Sequence, residues 1–453
     1  MRVYPKAMEI GENEGFTPEK DLFKRAEFGR GMSHLVGNIE DPLVIAFDGP
    51  WGSGKTTFLK MWAGELRNAG HPVIFFDAFE NDYIEDAFAA LAREIVILAE
   101  SKIPKTDKIA CSLKEKTANL GIALLKGSLK VASKAAFRAA TAGIVDTSDF
   151  KEIAEDTEKE ADDLAKHYID NLLNEPKRQK ELSSQFRNAL AELPSILAPP
   201  TEKENQKSLI FIIDELDRCK PLFALSLLER IKHFMMVQNV HFVLGVHMEQ
   251  LCGSVRSAYG SEIDARLYLQ KFIHVTIFNK IKNNGTETEL DLYANYLSKY
   301  LDLRSDSGGT VKDAIETIIR ITHLEQNSYR TIERAFSVLA LAVGLTPRNH
   351  LQIGYLIGGL IMMKLMRPSI FAKAKQGTLT FIEAHDFLRF EPKANTLEEM
   401  SWEESIWAFA LEPNLPGDFI RRFNEFGFRY NVRSGRDLLK FTANDIVDRI
   451  APN

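Results

Sequence analysis

Apolar residues recur along the chain with two different periods. Five short runs are almost continuously apolar and rich in β-branched and aromatic residues: Leu43–Asp48, Pro72–Asp77, Ser208–Asp214, His241–Val246 and Ile273–Phe278. Runs of this length predict strands buried on both faces, as in a parallel sheet covered by helices. Longer segments with helical spacing lie between them, which predicts βαβ units and an α/β sheet. After about residue 284 the strand pattern stops and the chain reads as helical to its end. Arg330–Leu345 and His350–Met366 predict well-buried helices. The segment Ser401–Ile450 carries Trp402, Trp407, Phe409, Phe419, Phe423, Phe426 and Phe428 among charges and predicts a small helical subdomain.

About 130 residues separate the second run from the third, far more than a crossover needs. The expected fold class is α/β: a three-layer core with a parallel sheet, a helical insertion and an all-helical C-terminal domain. The expected boundaries are 1–95 and 206–283 for the two parts of the core and 96–205 for the insertion. A helical lid then spans 284–380 and a small helical domain 381–453.

Composition adds bounds. A chain of 453 residues, 45% hydrophobic, holds about two to four domains at roughly 100–200 residues each. Cys111, Cys219 and Cys252 are too few and too scattered for a disulfide framework or a zinc site, and they read as reduced thiols. Met1–Phe16 is polar and unlike a signal peptide. The longest uncharged apolar stretches, Ala335–Leu345 and Asn349–Met363, fall short of the ~18–20 residues that span a bilayer. The expectation is a soluble, cytoplasmic protein without a membrane span.

Charge changes the picture in one place. The net charge of −6 argues against a chain built as a whole to clamp nucleic acid. Within the insertion, however, Lys102–Val145 carries nine basic residues against two acidic, and Asp146–Asp163 nine acidic against two basic. Lys126, Lys130, Lys134 and Arg138 recur every four residues as one basic stripe on a predicted helix. Three readings stand open: a helix packed by its apolar face with Lys in water, a track for a phosphate backbone, or a helix on an anionic membrane surface.

The first apolar run leads directly into Gly49-Pro50-Trp51-Gly52-Ser53-Gly54-Lys55-Thr56, a match to G-x-x-x-x-G-K-[ST], and a helical run, Thr57–Leu66, follows. That order is what a phosphate cradle requires. Glycines let backbone N–H groups wrap the phosphates, Lys55 reaches the β- and γ-phosphates, and the Thr56 hydroxyl binds Mg²⁺. The candidate nucleotide-binding residues therefore run from Gly49 to Thr57. The third run ends in Asp214-Glu215. A carboxylate at that strand end can hold Mg²⁺ through water opposite the loop. Glu215 is then placed to polarise the attacking water as a general base. In P-loop enzymes of this kind an extra strand usually separates the two motif strands, and its tip often senses the γ-phosphate. His241–Val246 fits that strand, which places His247 at the sensor position; the other reading is a capped surface residue.

Four blocks carry a family likeness. They are Asp21-Leu-Phe-Lys-Arg-Ala-Glu-Phe28, Leu43 to Trp62 around the loop, Phe75 to Leu91, and Ile213-Asp-Glu-Leu-Asp-Arg-Cys-Lys-Pro221, supported by Tyr268-Leu-Gln-Lys-Phe-Ile-His274. Together they make the chain resemble the KAP family of P-loop NTPases, related to the STAND and AAA+ assemblies, over roughly residues 20–345. The resemblance implies ATP as nucleotide, Mg²⁺ as metal, and mainly bacterial members, several linked to defence against phage. The family commonly has Asp-Asp where this chain has Asp214-Glu215, and often Asp where it has His247. Many members carry two transmembrane helices in the insertion; here Lys126, Lys130, Lys134 and Arg138 interrupt its most apolar stretch.

Phosphoryl transfer in this superfamily often needs an arginine on the γ-phosphate. Arg218, Arg266, Arg330 and Arg334 are the candidates. Arg218 either takes that catalytic role or pairs with Asp214 or Asp217 and orients the loop. The expected function is a Mg²⁺-dependent ATPase using ATP binding and hydrolysis as a conformational or assembly switch in anti-phage defence. It would act as a homo-oligomer, with an effector protein encoded nearby as a possible partner. The alternatives are an ATP-gated scaffold with little turnover, or a nucleic-acid-stimulated ATPase.

Overall fold

The computed structural model describes residues 4–5, 8–83, 206–234, 237–279, 288–303, 309–325, 328–346, 352–390, 400–412 and 434–449, with shorter stretches within 90–98 and 184–198. The basic stripe Lys126, Lys130, Lys134 and Arg138 and the acidic segment after it lie outside the described residues. Contacts divide the chain into two units, one of Glu9–Pro50 with Gly54–Lys280, the other of Met1–Met8, Trp51–Ser53 and Ile281–Asn453.

Among the described residues, the unit that contains the sheet has five strands: β1 (Leu43–Asp48), β2 (Val73–Asp77), β3 (Leu209–Asp214), β4 (Val240–Val246) and β5 (Val275–Phe278). Every pairing is parallel, in the order β2-β3-β4-β1-β5. Alternating side chains feed two cores. Ile45, Phe47, Ile210 and Ile212 pack with α1 (Ala26–Asn38) and α2 (Lys55–Asn68) on one face. Val44, Ala46, Phe211 and Ile213 pack with α3 (Pro221–Phe234), α4 (Met248–Tyr259) and α5 (Ala265–Leu269) on the other. The result is a three-layer α/β core. Pro221 opens α3 at the one helical position where a missing N–H costs nothing.

β3 and β4 are buried at every residue because they lie inside the sheet with helices on both faces. The strand order also puts β4 between β1 and β3, so the strand ending before His247 does separate the two motif strands. The last apolar run behaves differently from its expectation. Only Val275–Phe278 is strand, and Val275 and Phe278 are 41% and 56% exposed. β5 has β1 on one side and no described strand on the other, and an apolar run alone does not separate edge strands from central ones.

Among the described residues the other unit is helical: α6 (Glu289–Tyr300), α7 (Thr310–Leu324), α8 (Tyr329–Leu345), α9 (Gly354–Met366), α10 (Pro368–Gln376), α11 (Phe381–Leu388), α12 (Trp402–Leu411) and α13 (Gly435–Phe441), followed by a π-helical turn, Thr442–Val447. Leu356–Met363 of α9 are buried throughout, and α9 contacts α7, α8 and α12. α9 begins at Gly354, four residues later than the apolar pattern predicts, because Gln352 and Ile353 precede it in non-helical backbone. Among the described residues no helix is long and apolar enough to cross a membrane.

The central strands are locked by aromatic packing. Phe211 of β3 and Phe242 of β4 are fully buried and stack with ring centroids 4.8 Å apart. Replacing Phe242 with Ala is expected to lower the unfolding free energy by about 3–5 kcal/mol. Denaturant titration measures this as a lower midpoint with an unchanged slope.

Candidate functional site

β1 delivers the chain to the loop Gly49–Gly54, and α2 takes it away. The Gly49 N–H donates to the Val246 carbonyl at 3.1 Å, which ties the start of the loop to β4. Gly52 and Gly54 have φ of 75° and 78°, left-handed backbone that glycine adopts without a Cβ penalty. Gly54 is the N-cap of α2, and no side chain caps that end. The first-turn N–H groups and the positive end of the helix dipole thus face the loop, which is a place for an anion.

Lys55 is buried, and its Nζ donates to the Gly49 carbonyl and, at 3.2 Å, to the Pro50 carbonyl. Burial pulls the ammonium pKa down, Asp217, Asp214 and Asp48 pull it back up, and Arg218 adds to the depression. Thr56 and Thr57 follow in the first turn, both half-buried. Ser53 is buried and Trp51 is 42% exposed.

Asp214 ends β3 with an exposure of 1%. Its Oδ1 accepts the Glu215 N–H at 2.9 Å, and its Oδ2 makes no hydrogen bond among the described residues. Burial raises its pKa; the Thr56 hydroxyl and the Glu215 N–H lower it, Asp77 raises it and Lys55 lowers it. Asp77 ends β2 in register with Asp214. Thr56 beside a buried carboxylate with one free oxygen gives a hard, all-oxygen donor set, which fits Mg²⁺.

Glu215 stands at φ 58°, ψ 24°, left-handed backbone that is uncommon for a residue with a Cβ. Its carboxylate pairs with Arg218 Nη1 at 2.9 Å. The short 3-10 turn Leu216–Arg218 brings the guanidinium back over Glu215, a partner that the sequence reading did not name. Burial raises the Glu215 pKa, Arg218 opposes it, and Asp214, Asp77 and Asp217 push the same way as burial.

Among the remaining candidates, Arg330 lies beside Gly52 of the loop, whose carbonyl accepts the Tyr329 N–H at 3.1 Å. His247 is the N-cap residue of α4 but makes no side-chain cap bond; the cap is supplied from β1, where Asp48 Oδ1 accepts the Met248 N–H at 2.9 Å. Arg266 pairs with Glu249. Arg330 and Arg334 are exposed on α8 of the helical unit, and Arg334 lines a cleft with Glu325 and Arg367. Sequence reasoning gave no site role to Asp48 and Asp77, and considered Asp217 only as a partner of Arg218. The first two carry the same signal as Asp214, an apolar run ending in a carboxylate, without a glutamate after it to draw notice.

A carboxyl whose folded pKa is raised favours the folded state when protonated. That contribution is fully present below the unfolded value, 3.8 for Asp214, and is lost as pH rises through the raised folded value. Asp214→Asn is therefore expected to raise stability at neutral pH in protein free of metal and nucleotide. Urea midpoints should show this gain shrinking as the buffer approaches the ordinary carboxylate pKa.

Comparison with known proteins adds one strong match. The profile of the KAP family P-loop domain matches residues 32–342. Among solved structures, the Aeropyrum pernix ORC2 protein in its ADPNP–ADP complexes aligns at 10% identity, covering 94% of each chain with a TM-score of 0.32. AMPPCP-bound DnaA from Aquifex aeolicus aligns at 12% identity, covering 96% of this chain and 99% of its own, with a TM-score of 0.29. No curated protein matches the chain.

Proposed function

The chain belongs to the KAP family of P-loop NTPases, and from that premise we propose that it is a Mg²⁺-dependent ATPase that uses nucleotide binding and hydrolysis as a switch. The observation that carries this reading is the end of β3: a buried carboxylate with one free oxygen, Asp214 Oδ2, followed directly by Glu215. A structural aspartate at such a depth would have both oxygens bonded. One left free beside the Thr56 hydroxyl suits a cation.

The residues divide the work as follows. Lys55 exchanges the Gly49 and Pro50 carbonyls for phosphate oxygens, and the first-turn N–H groups of α2 hold the rest of the phosphate chain. Thr56 and Asp214 hold Mg²⁺, which when bound neutralises charge on the β- and γ-phosphates. Glu215 takes the proton of the attacking water. Its raised pKa makes it a stronger base than a free glutamate, closer to what proton transfer near neutral pH requires. Glu215→Gln is expected to cut turnover by about 10²–10⁴-fold while leaving nucleotide binding intact. An unchanged rate would remove the general-base assignment.

Arg218 bears on the same group. It holds the Glu215 pKa down against burial, so Arg218→Ala should move the acidic limb of the pH–rate profile to higher pH. A limb that stays in place would mean that Glu215 is not the titrating base. The same ion pair favours a second reading, an ATP-gated scaffold with little turnover, since a glutamate engaged by a cation is not free to take a proton. Steady-state phosphate release from purified protein separates the two.

The switch is proposed to act through self-association, with a mass in ATP larger than the mass without it. Bacterial anti-phage defence, a cytoplasmic setting and an effector partner are proposed from the family resemblance. Nucleic-acid stimulation through Lys126, Lys130, Lys134 and Arg138 is the remaining alternative, tested by adding DNA or RNA at low salt.

A further inference from the structure

β4 separates the strand that feeds the P-loop from the strand that carries Asp214. One of its residues, Gly245, lies in register with Asp214 on one side and with Phe47 on the other. A Cβ on Gly245 would stand 2.3 Å from Asp214 Oδ1, 3.2 Å from its Cγ and 2.7 Å from Leu59 Cδ1. Real Cβ atoms essentially never approach within 3.0 Å.

Two explanations of this glycine are available. Its backbone does not require it: Gly245 sits inside a regular strand and is not among the residues with positive φ. A glycine inside a strand is otherwise a weakness. Space is what remains. The Leu59 contact involves the far end of a flexible side chain that can turn aside. The carboxylate cannot turn as freely, because its Oδ1 is held by the Glu215 N–H at 2.9 Å and the whole residue is buried.

We propose that Gly245 is the positioning residue for Asp214. By lacking a side chain it lets the carboxylate lie against β4, with Oδ1 bonded to Glu215 N–H and Oδ2 left for the cation. A methyl group at 245 would drive the carboxylate outward by about 1 Å, a displacement that costs on the order of 100-fold in a preorganised site. The inference rests on the reading of Asp214 as a Mg²⁺ ligand. It makes a separate demand, that cation and nucleotide binding come apart when β4 gains one carbon.

The test uses the full chain and a fluorescent ATP analogue, titrated in EDTA and in Mg²⁺, with turnover and thermal unfolding measured alongside. Gly245→Ala should unfold cooperatively, bind the analogue in EDTA as the parent does, lose the effect of Mg²⁺ on affinity and turn over about 100-fold more slowly. Gly253→Ala, on α4 with nothing within 4 Å of the added carbon, should match the parent. The double variant Leu59→Ala/Gly245→Ala removes the second contact and should still lack the Mg²⁺ response. Where Gly245→Ala alone fails to fold, the double variant reads the same quantity. A Mg²⁺ response and turnover like the parent's in Gly245→Ala, or their recovery in the double variant, would overturn the proposal. Asp214→Asn distinguishes the two layers. If it keeps both properties, the metal-ligand reading itself falls. If it loses both while Gly245→Ala keeps them, only the role of Gly245 falls.

Discussion

The carboxylate of Asp214 is the constraint around which the sheet unit is arranged. A carboxylate exposed to only 1% of its surface is expensive to ionise unless something charged or hydrogen-bonding faces it. The fold supplies part of that compensation: the Glu215 N–H, the neighbourhood of Thr56, and Lys55 across the loop. It does not supply all of it, since Oδ2 is left without a bond and the pKa stays raised. A site that carries an unmet electrostatic demand is one that a ligand can relieve, and on the proposed reading that ligand is a cation brought with a nucleotide.

The neighbouring groups follow from that demand. Asp77, in register at the end of β2, and Asp217 add negative charge, and Asp217, Asp214 and Asp48 pull the Lys55 ammonium toward its charged form. Glu215 is turned into left-handed backbone by the short turn after β3, which puts Arg218 against it. The opposing pulls on Glu215, burial and three carboxylates upward and one guanidinium downward, leave a base whose strength depends on where Arg218 stands. On the other flank, the missing side chain of Gly245 keeps Asp214 close to β4 while Gly49 and Met248 tie β1 to the same strand. β4 carries no residue of the loop or of the acidic pair, yet it sets the spacing between them.

Local chemistry made the elements of this unit readable in advance. Leu43–Asp48 is strand because it is apolar and bounded by turn residues, and Gly49–Thr56 is a loop entering a helix because Gly52 and Gly54 supply the left-handed backbone that leads into α2. The five apolar runs match the five strands to within two residues at each end. β5 was legible as a strand but not as a half-exposed one, because exposure depends on what lies beside a strand and not on its own residues. The start of α9 was misjudged for a related reason. Ile353 continues the apolar pattern, but neither it nor Gln352 has helical backbone.

By itself the amino-acid order determined the α/β class, the strands, the phosphate-binding loop and the Asp214-Glu215 pair, since each is a property of residues a few positions apart. Only the tertiary structure decided that β4 lies between β3 and β1, that Arg218 meets Glu215, that Asp77 stands beside Asp214, and that Gly245 leaves the space the carboxylate occupies. These are relations between segments tens to hundreds of residues apart, or turns resolved by packing. Periodicity along a chain holds no record of which strand ends next to which, and electrostatics and steric fit depend on that alone.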